Sequence, residues 1–225
     1  MTDKFEELEE LFESSTIKPT FELVHIILAL FLFGENPDGI GRYRLRKNLL
    51  IGSGTARSLV RKLKEKINFI TVEDNIRKGH ILTEEGLNYL KKIKRKIPLL
   101  EKAEPKVLKD IIIKNEGIHA YFCLVKDAAE KVKSGIEQRD AAIKVGASGA
   151  TCLLFNGESL QYPSSSVPPQ NREELKLNNS IKNYFETKVS HYNTELKKDD
   201  VILIGLGESP EKARLAALNS ALTLI

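Results

Sequence analysis

Apolar side chains in the first third of the chain recur at helical spacing, interrupted by short polar breaks. Phe5, Leu8, Leu11 and Phe12 are spaced for one face of a short amphipathic helix within an acidic segment, residues 2–13. Residues 16–20, with Pro19, read as a loop, and Thr20 is placed to cap a helix running to Phe33. Residues 34–41, with Pro37 and two glycines at the ends, break that helix. Helical patterning resumes over 42–50, turns through Ile51, Gly52 and Ser53, and continues over 54–66. Two short β-like runs, 69–72 and 80–82, flank a polar loop. Thr83 then caps a helix with Glu84 and Glu85 in its first turn, where carboxylates suit the helix dipole; this helix ends before Pro98.

The pattern changes further on. Residues 99–116 read as a linker, helical from Lys102 to Asn115. Residues 120–125 predict a strand, and 136–145 a helix closed by Gly146 at its C′ position. Asn156-Gly157 between 150–155 and 159–162 is a strong hairpin signal. A polar loop with three prolines covers 163–170, and 172–193 is mostly helical. Val201, Ile202, Leu203 and Ile204 form an apolar strand, and Ser209-Pro210-Glu211 opens the last helix with a cap, Pro at N1 and an acid behind it. The expected class is α+β with two domains, 1–98 and 117–225.

Charge sharpens this division. Residues 1–39 hold two basic and nine acidic side chains, residues 40–97 sixteen and five, and residues 98–225 seventeen of each. One short block therefore carries the positive field, and such a field attracts polyanions. With 41% hydrophobic and 29% charged residues, the chain is expected to be a soluble globular protein and not a disordered one. The longest apolar stretch, 23–33, contains His25 and is too short to span a bilayer, so no membrane partner is expected. The first residues lack a basic segment followed by an apolar one, and the two cysteines, Cys123 and Cys152, lie in apolar runs. A cytoplasmic protein with reduced thiols is expected.

The basic block has internal order. On a helix over 54–67, Ala56, Leu59, Val60, Leu63 and Ile67 form one apolar stripe, while Arg57, Ser58, Arg61 and Lys62 face away from it. That division suits a recognition helix: small polar residues at the N-terminus allow close approach to base edges, and Arg57 and Arg61 can each donate two hydrogen bonds to guanine. Ser53 and Thr55 suit phosphate oxygens, and Arg42, Arg44, Arg46 and Lys47 on the preceding helix would cross the DNA backbone. Arg77 and Lys78 sit at the tip between the two β-like runs, within reach of a further phosphate or the minor groove. These residues resemble the helix-turn-helix of winged-helix regulators. Duplex DNA is the expected partner. Phe5, Leu8, Leu11 and Phe12 of the helix over 2–13 are expected to pack on the protein itself or on a twin chain, and since such a helix often forms a dimer seam, a homodimer is expected.

The whole chain also resembles an uncharacterised archaeal family with an N-terminal winged helix and a C-terminal domain of unknown function. The phrases that carry this likeness are Ser134-Gly135-Ile136-Glu137-Gln138-Arg139-Asp140-Ala141-Ala142-Ile143-Lys144, Gly146-Ala147-Ser148-Gly149-Ala150-Thr151 and Asp200-Val201-Ile202-Leu203-Ile204-Gly205. The resemblance implies an antiparallel sheet with helices on one face, similar to the insert domain of some aspartyl-tRNA synthetases and amidotransferase subunits. It implies no activity, and the polar stretch 163–198 departs from the pattern.

Arg139, Ser148, Gly149, Gly205, Gly207 and Ser209 lie at helix and strand ends and form a candidate site for a small-molecule effector, although Gly205 to Pro210 also reads as a plain strand-to-helix connection. Catalysis has little support: His25, His80, His119 and His191 are scattered, and the Gly-rich stretches match neither a phosphate-binding loop nor a nucleophile elbow. No enzyme, metal or cofactor is expected. The leading function is a DNA-binding transcriptional regulator whose C-terminal domain senses a ligand or mediates assembly. Alternatives are an RNA-associated factor and a small-molecule enzyme with a winged-helix attachment.

Overall fold

A computed structural model describes residues 5–13, 20–72, 79–112, 117–163 and 176–225. The chain divides into two compact units, Met1–Ile93 and Lys94–Ile225.

The first unit is built on a helix that is hydrophobic almost all round, α1 (Leu23–Glu35), with Val24 and every residue from Ile26 to Phe33 buried. Its cap is Glu22, whose carboxylate accepts from the His25 backbone N–H while His25 Nδ1 accepts from Glu22 N at 2.9 Å. Thr20, expected in that role, lies too far upstream and instead meets Thr55 through the two hydroxyls at 2.6 Å. Helices α2 (Arg42–Leu49) and α3 (Ser53–Glu65) follow, joined where Leu50 takes a left-handed conformation with φ 55°. Leu45 and Leu49 of α2, and Ala56, Leu59, Val60 and Leu63 of α3, are buried, so the apolar stripe anticipated on α3 is its core face. Strands β1 (Ile70–Thr71) and β2 (Ile81–Leu82) pair antiparallel, and an isolated bridge between Ile40 and His80 extends the ladder ahead of α2. Gly79 has φ 116°, and a Cβ there would strike the Ile40 carbonyl. Helix α4 (Glu84–Lys94) is capped as its sequence predicts, Thr83 Oγ1 accepting from Gly86 N at 3.1 Å. The acidic N-terminal segment forms a 3-10 helix, Glu6–Leu11. Leu8 and Leu11 are fully buried, and the Phe12 and Phe21 rings stand 5.9 Å apart. Of the two placements expected for this apolar side, the structure shows packing inside its own unit for Leu8 and Leu11.

The second unit is a five-stranded sheet with helices. Its strands are β3 (Leu99–Ala103), β4 (His119–Val125), β5 (Gly149–Phe155), β6 (Leu160–Gln161) and β7 (Val201–Gly207), in the order β3-β4-β7-β5-β6 with every pairing antiparallel. The expected linker helix over 99–116 is not formed: Leu99–Ala103 is an edge strand paired with β4, and turns follow it to Ile111. Pairing with a partner some twenty residues away overrides the helical preference of Leu, Glu, Lys and Ala in that segment. Asn156-Gly157 does make a hairpin, but a loop of four residues, 156–159, closed by Phe155↔Leu160, with Asn156 Oδ1 accepting from the backbone N–H of Glu158 and Ser159.

Helices cover both faces of the sheet, which corrects the expectation of one. Helix α6 (Asn179–Ser190) places Ile181, Phe185 and Val189 in one core with Phe122, Leu124, Leu153, Phe155, Ile202 and Ile204. Strand residues alternate between faces, so Cys123, Cys152, Leu203 and Gly205 turn to the other side. There α7 (Pro210–Leu222) crosses the sheet so closely that a Cβ on Gly205 would collide with the backbone of Ala213 and Ala217. Helix α5 (Ile136–Lys144) packs beside α7 on β5, tied to it by Ser220 Oγ donating to Gln138 O at 2.7 Å and Asn219 Nδ2 donating to Ala141 O at 2.7 Å. Cys123 and Cys152 both pair with Leu203 from opposite sides of β7. They are thus two strand spacings apart, about 10 Å, too far for a disulfide.

Candidate nucleic-acid interface

The basic residues of α2 and α3 sort by angle. Arg42 and Arg46 sit one turn apart beside the apolar stripe of α2, facing the start of α3. Arg46 Nη1 donates to Ser53 Oγ at 2.7 Å and the guanidinium lies 5.2 Å from the centre of the Tyr43 ring. Arg42, Tyr43, Arg46, Ser53, Ala56 and Arg57 line an open hollow of about 220 Å³. Arg44 and Lys47 are exposed further round α2, and Arg61 is exposed one turn beyond Arg57. Among the described residues none of Arg42, Arg44, Arg46, Lys47, Arg57, Arg61 and Lys64 forms an ion pair with a carboxylate.

The opposite flank of α3 is different. Thr55 and Lys62 stand two turns apart on that flank, away from Ser53 and Arg57. Lys62 Nζ donates to the carbonyls of Leu11 at 2.8 Å and Glu13 at 2.6 Å. Removal from water holds its pKa below the usual lysine value, helped by Lys66 and Arg61. Lys66 pairs with Glu10 at 3.6 Å and Lys92 with Glu7 at 2.8 Å. The acidic segment thus occupies cations on one side of the unit, while those on the other side have no carboxylate partner among the described residues. The basic block is therefore not gathered whole onto one surface, and Lys62, expected on the recognition face, belongs to the other side. Thr55 is likewise engaged by Thr20, and Ser58 is half-buried. Arg77 and Lys78 lie outside the described residues.

Three residues that helical spacing did not single out join the set. Tyr43 is 75% exposed, an aromatic ring standing beside three arginines. Lys64 continues the line of Ser53 and Arg57 along α3 and is exposed. His80 sits at the base of the β1–β2 connection, where burial first, then Lys64 and Arg42, push its pKa down. The influence of those two cations places both near the same strand. Sequence spacing flagged the α3 line, but the approach of Ile40 to His80 depends on non-local pairing.

The candidate effector residues lie together at one end of the sheet, Gly149 pairing with Leu206 between Gly205 and Gly207, but each is engaged locally. Arg139 pairs with its neighbour Asp140 at 2.9 Å, and its Cγ lies 3.8 Å from where a Cβ on Gly149 would stand. Gly205 and Gly207 are consumed by the close approach of α7, a Cβ on Gly207 falling 2.7 Å from Ala213 N. Ser209 caps α7, its Oγ accepting from Lys212 N at 3.2 Å. Ser148 N donates to Leu206 O at 2.9 Å, and Gly149 opens β5. Each has a local structural duty. The buried carboxylate Asp200 is equally occupied: it accepts from Lys126 Nζ, from Asp127 N at 3.1 Å and from Lys197 N at 2.7 Å, fixing the approach to β7. Among the described residues no cluster of His, Cys, Asp and Glu is placed to hold a metal ion, and no helix is long and apolar enough to cross a membrane.

Comparison with known proteins sets this geometry in context. Residues 117–224 match the family described as Domain of unknown function (DUF4443). That match begins after β3, so it leaves out the first unit and the first strand of the second. The chain is also similar in structure to "Hypothetical protein PH0730 from Pyrococcus horikoshii OT3", with a TM-score of 0.63 and 26% identity over 91% of this chain and 93% of that one. No curated protein matches the chain. The two likenesses fit an uncharacterised archaeal family.

Proposed function

We propose that the first unit is a winged helix that binds duplex DNA and that the chain acts as a transcriptional regulator. The order α1, the Ile40 bridge, α2, α3, β1 and β2 supports the winged-helix reading. The observation that carries the function is the set of seven cations on α2 and α3 without carboxylate partners among the described residues, in a unit whose own acidic segment binds the cations of the other flank. A face left positive in this way suits a polyanion that replaces its counterions. In this reading the N-terminal half of α3 enters the major groove, where Ser53 and Gly54 add little bulk and Arg57 and Arg61 reach base edges. Arg42 and Arg46 meet the phosphates alongside, and Tyr43 packs against the sugar edge. The second unit, whose candidate effector residues are each engaged locally, serves assembly.

The test is fluorescence anisotropy of a labelled duplex titrated with the full chain, with structured RNA as competitor. Binding at low salt that falls steeply as salt rises supports the proposal. No binding to duplex DNA at low salt overturns it, and preference for structured RNA transfers the same face to an RNA-associated role.

A further inference from the structure

The outer face of α5 has a pattern that none of the foregoing uses. Ile136 and Ile143 are 51% and 50% exposed, two turns apart. Between them on the same face stand Arg139 and Asp140, both more than half exposed and paired only with each other among the described residues. The four positions fall within an arc of about 100°: Ile136, Asp140 and Ile143 turn away from the buried Gln138 and Ala142, and Arg139 stands at the edge of the arc nearest β5, its Cγ 3.8 Å from where a Cβ on Gly149 would be. The face thus reads apolar, cation, anion, apolar.

That order is matched to itself. When two copies of a helix pack antiparallel about a two-fold axis, positions whose numbers share one sum face each other. About the midpoint between Arg139 and Asp140, Ile136 of one copy meets Ile143 of the other, and Arg139 meets Asp140, twice over. Each arginine then exchanges a carboxylate on its own helix for one across the seam, and the exposed isoleucines become covered at both ends. A two-fold contact requires this kind of self-complementary surface. We propose that α5 is the self-association surface of this chain and that its partner is a second copy packed antiparallel through Ile136, Arg139, Asp140 and Ile143. The strip is about 10 Å long, far smaller than a standard interface, so the dimer is concentration-dependent. The assignment is independent of DNA binding and is measured without DNA.

Sedimentation velocity of the full chain over a range of concentrations tests it. The wild type is expected to shift from monomer to dimer as concentration rises. Arg139→Asp sets two aspartates against two across the seam, and Asp140→Arg does the same with arginines; each is expected to weaken the dimer by at least about tenfold. The double swap Arg139→Asp with Asp140→Arg restores both cross-pairs and is expected to recover dimerisation. An equimolar mixture of the two single variants is expected to form a heterodimer. Circular dichroism checks that each variant folds, which the exposure of both positions favours. A wild type that stays monomeric at the highest concentration overturns the proposal, as do single variants that dimerise unchanged or a double swap that fails to recover.

Discussion

Charge removal on the two flanks of the first unit should have unequal effects. Consider Arg42→Gln with Arg46→Gln, which empties the walls of the hollow, against Lys66→Gln with Lys92→Gln, which removes cations already paired with Glu10 and Glu7. Both pairs lower the net charge by two. Removing one cation that neutralises a phosphate should reduce the slope of log K against log salt by about 0.9. Removing two lowers it by about 1.8, which at 0.1 M salt corresponds to binding about sixtyfold weaker. The Lys66 and Lys92 pairs are exposed and should contribute at most about 1 kcal/mol each to stability, and their loss should leave the slope nearly unchanged. Anisotropy titrations of one duplex at four salt concentrations, with each variant's fold checked by its thermal melt, give both slopes. Equal loss in the two double variants would refute the reasoning, because a diffuse positive field and not an ordered face would then account for binding.

Further outcomes can be checked alongside. Gly205→Ala drives a methyl into the backbone of α7 and should cost about 3 kcal/mol in denaturant unfolding, whereas Gly54→Ala, which meets nothing within 4 Å, should gain about 0.5–1 kcal/mol while weakening DNA binding by standing α3 off the groove. His25 and His80 both have folded pKa values below 6.5, chiefly through burial, so the unfolded chain takes up protons first as pH falls. Stability should be complete above pH 6.5 and decline on acidification below it, and a His25→Gln, His80→Gln variant should show a flatter profile in denaturation between pH 7.5 and 5; an unchanged slope would refute the assignment. Burial raises the thiol pKa of Cys152 to about 12 and of Cys123 further still, so a thiol reagent at neutral pH should label neither until the chain is unfolded, and then both.

Local chemistry was readable where a feature is settled within a few residues. The stripe Ala56, Leu59, Val60 and Leu63, the Thr83 and Ser209 caps and the Gly146 ending of α5 all follow from short-range periodicity or a single hydrogen bond. What could not be read was settled at a distance. Leu99-Leu100-Glu101-Lys102-Ala103 has the composition of a helix and becomes a strand because β4 offers it a partner. The second covered face escaped because Ile202 and Leu203, adjacent in an apolar run, point to opposite layers, and such a run does not say how many layers it serves. Lys62 and Arg61 are neighbours in a basic stretch, and only the seating of Leu11 and Glu13 separates their roles.

The place of β7 sets a schedule for synthesis. This strand lies in the middle of the sheet yet is the last of its five strands to leave the ribosome, and His119 must wait for Gly207, Gly149 for Leu206. Until then the nascent chain holds two fragments, β3 with β4 and β5 with β6, each presenting an open apolar edge to whatever is near. A stop codon between Gln161 and Val201 makes that condition permanent, and such shortened chains should aggregate or be degraded even though α2 and α3 upstream are complete.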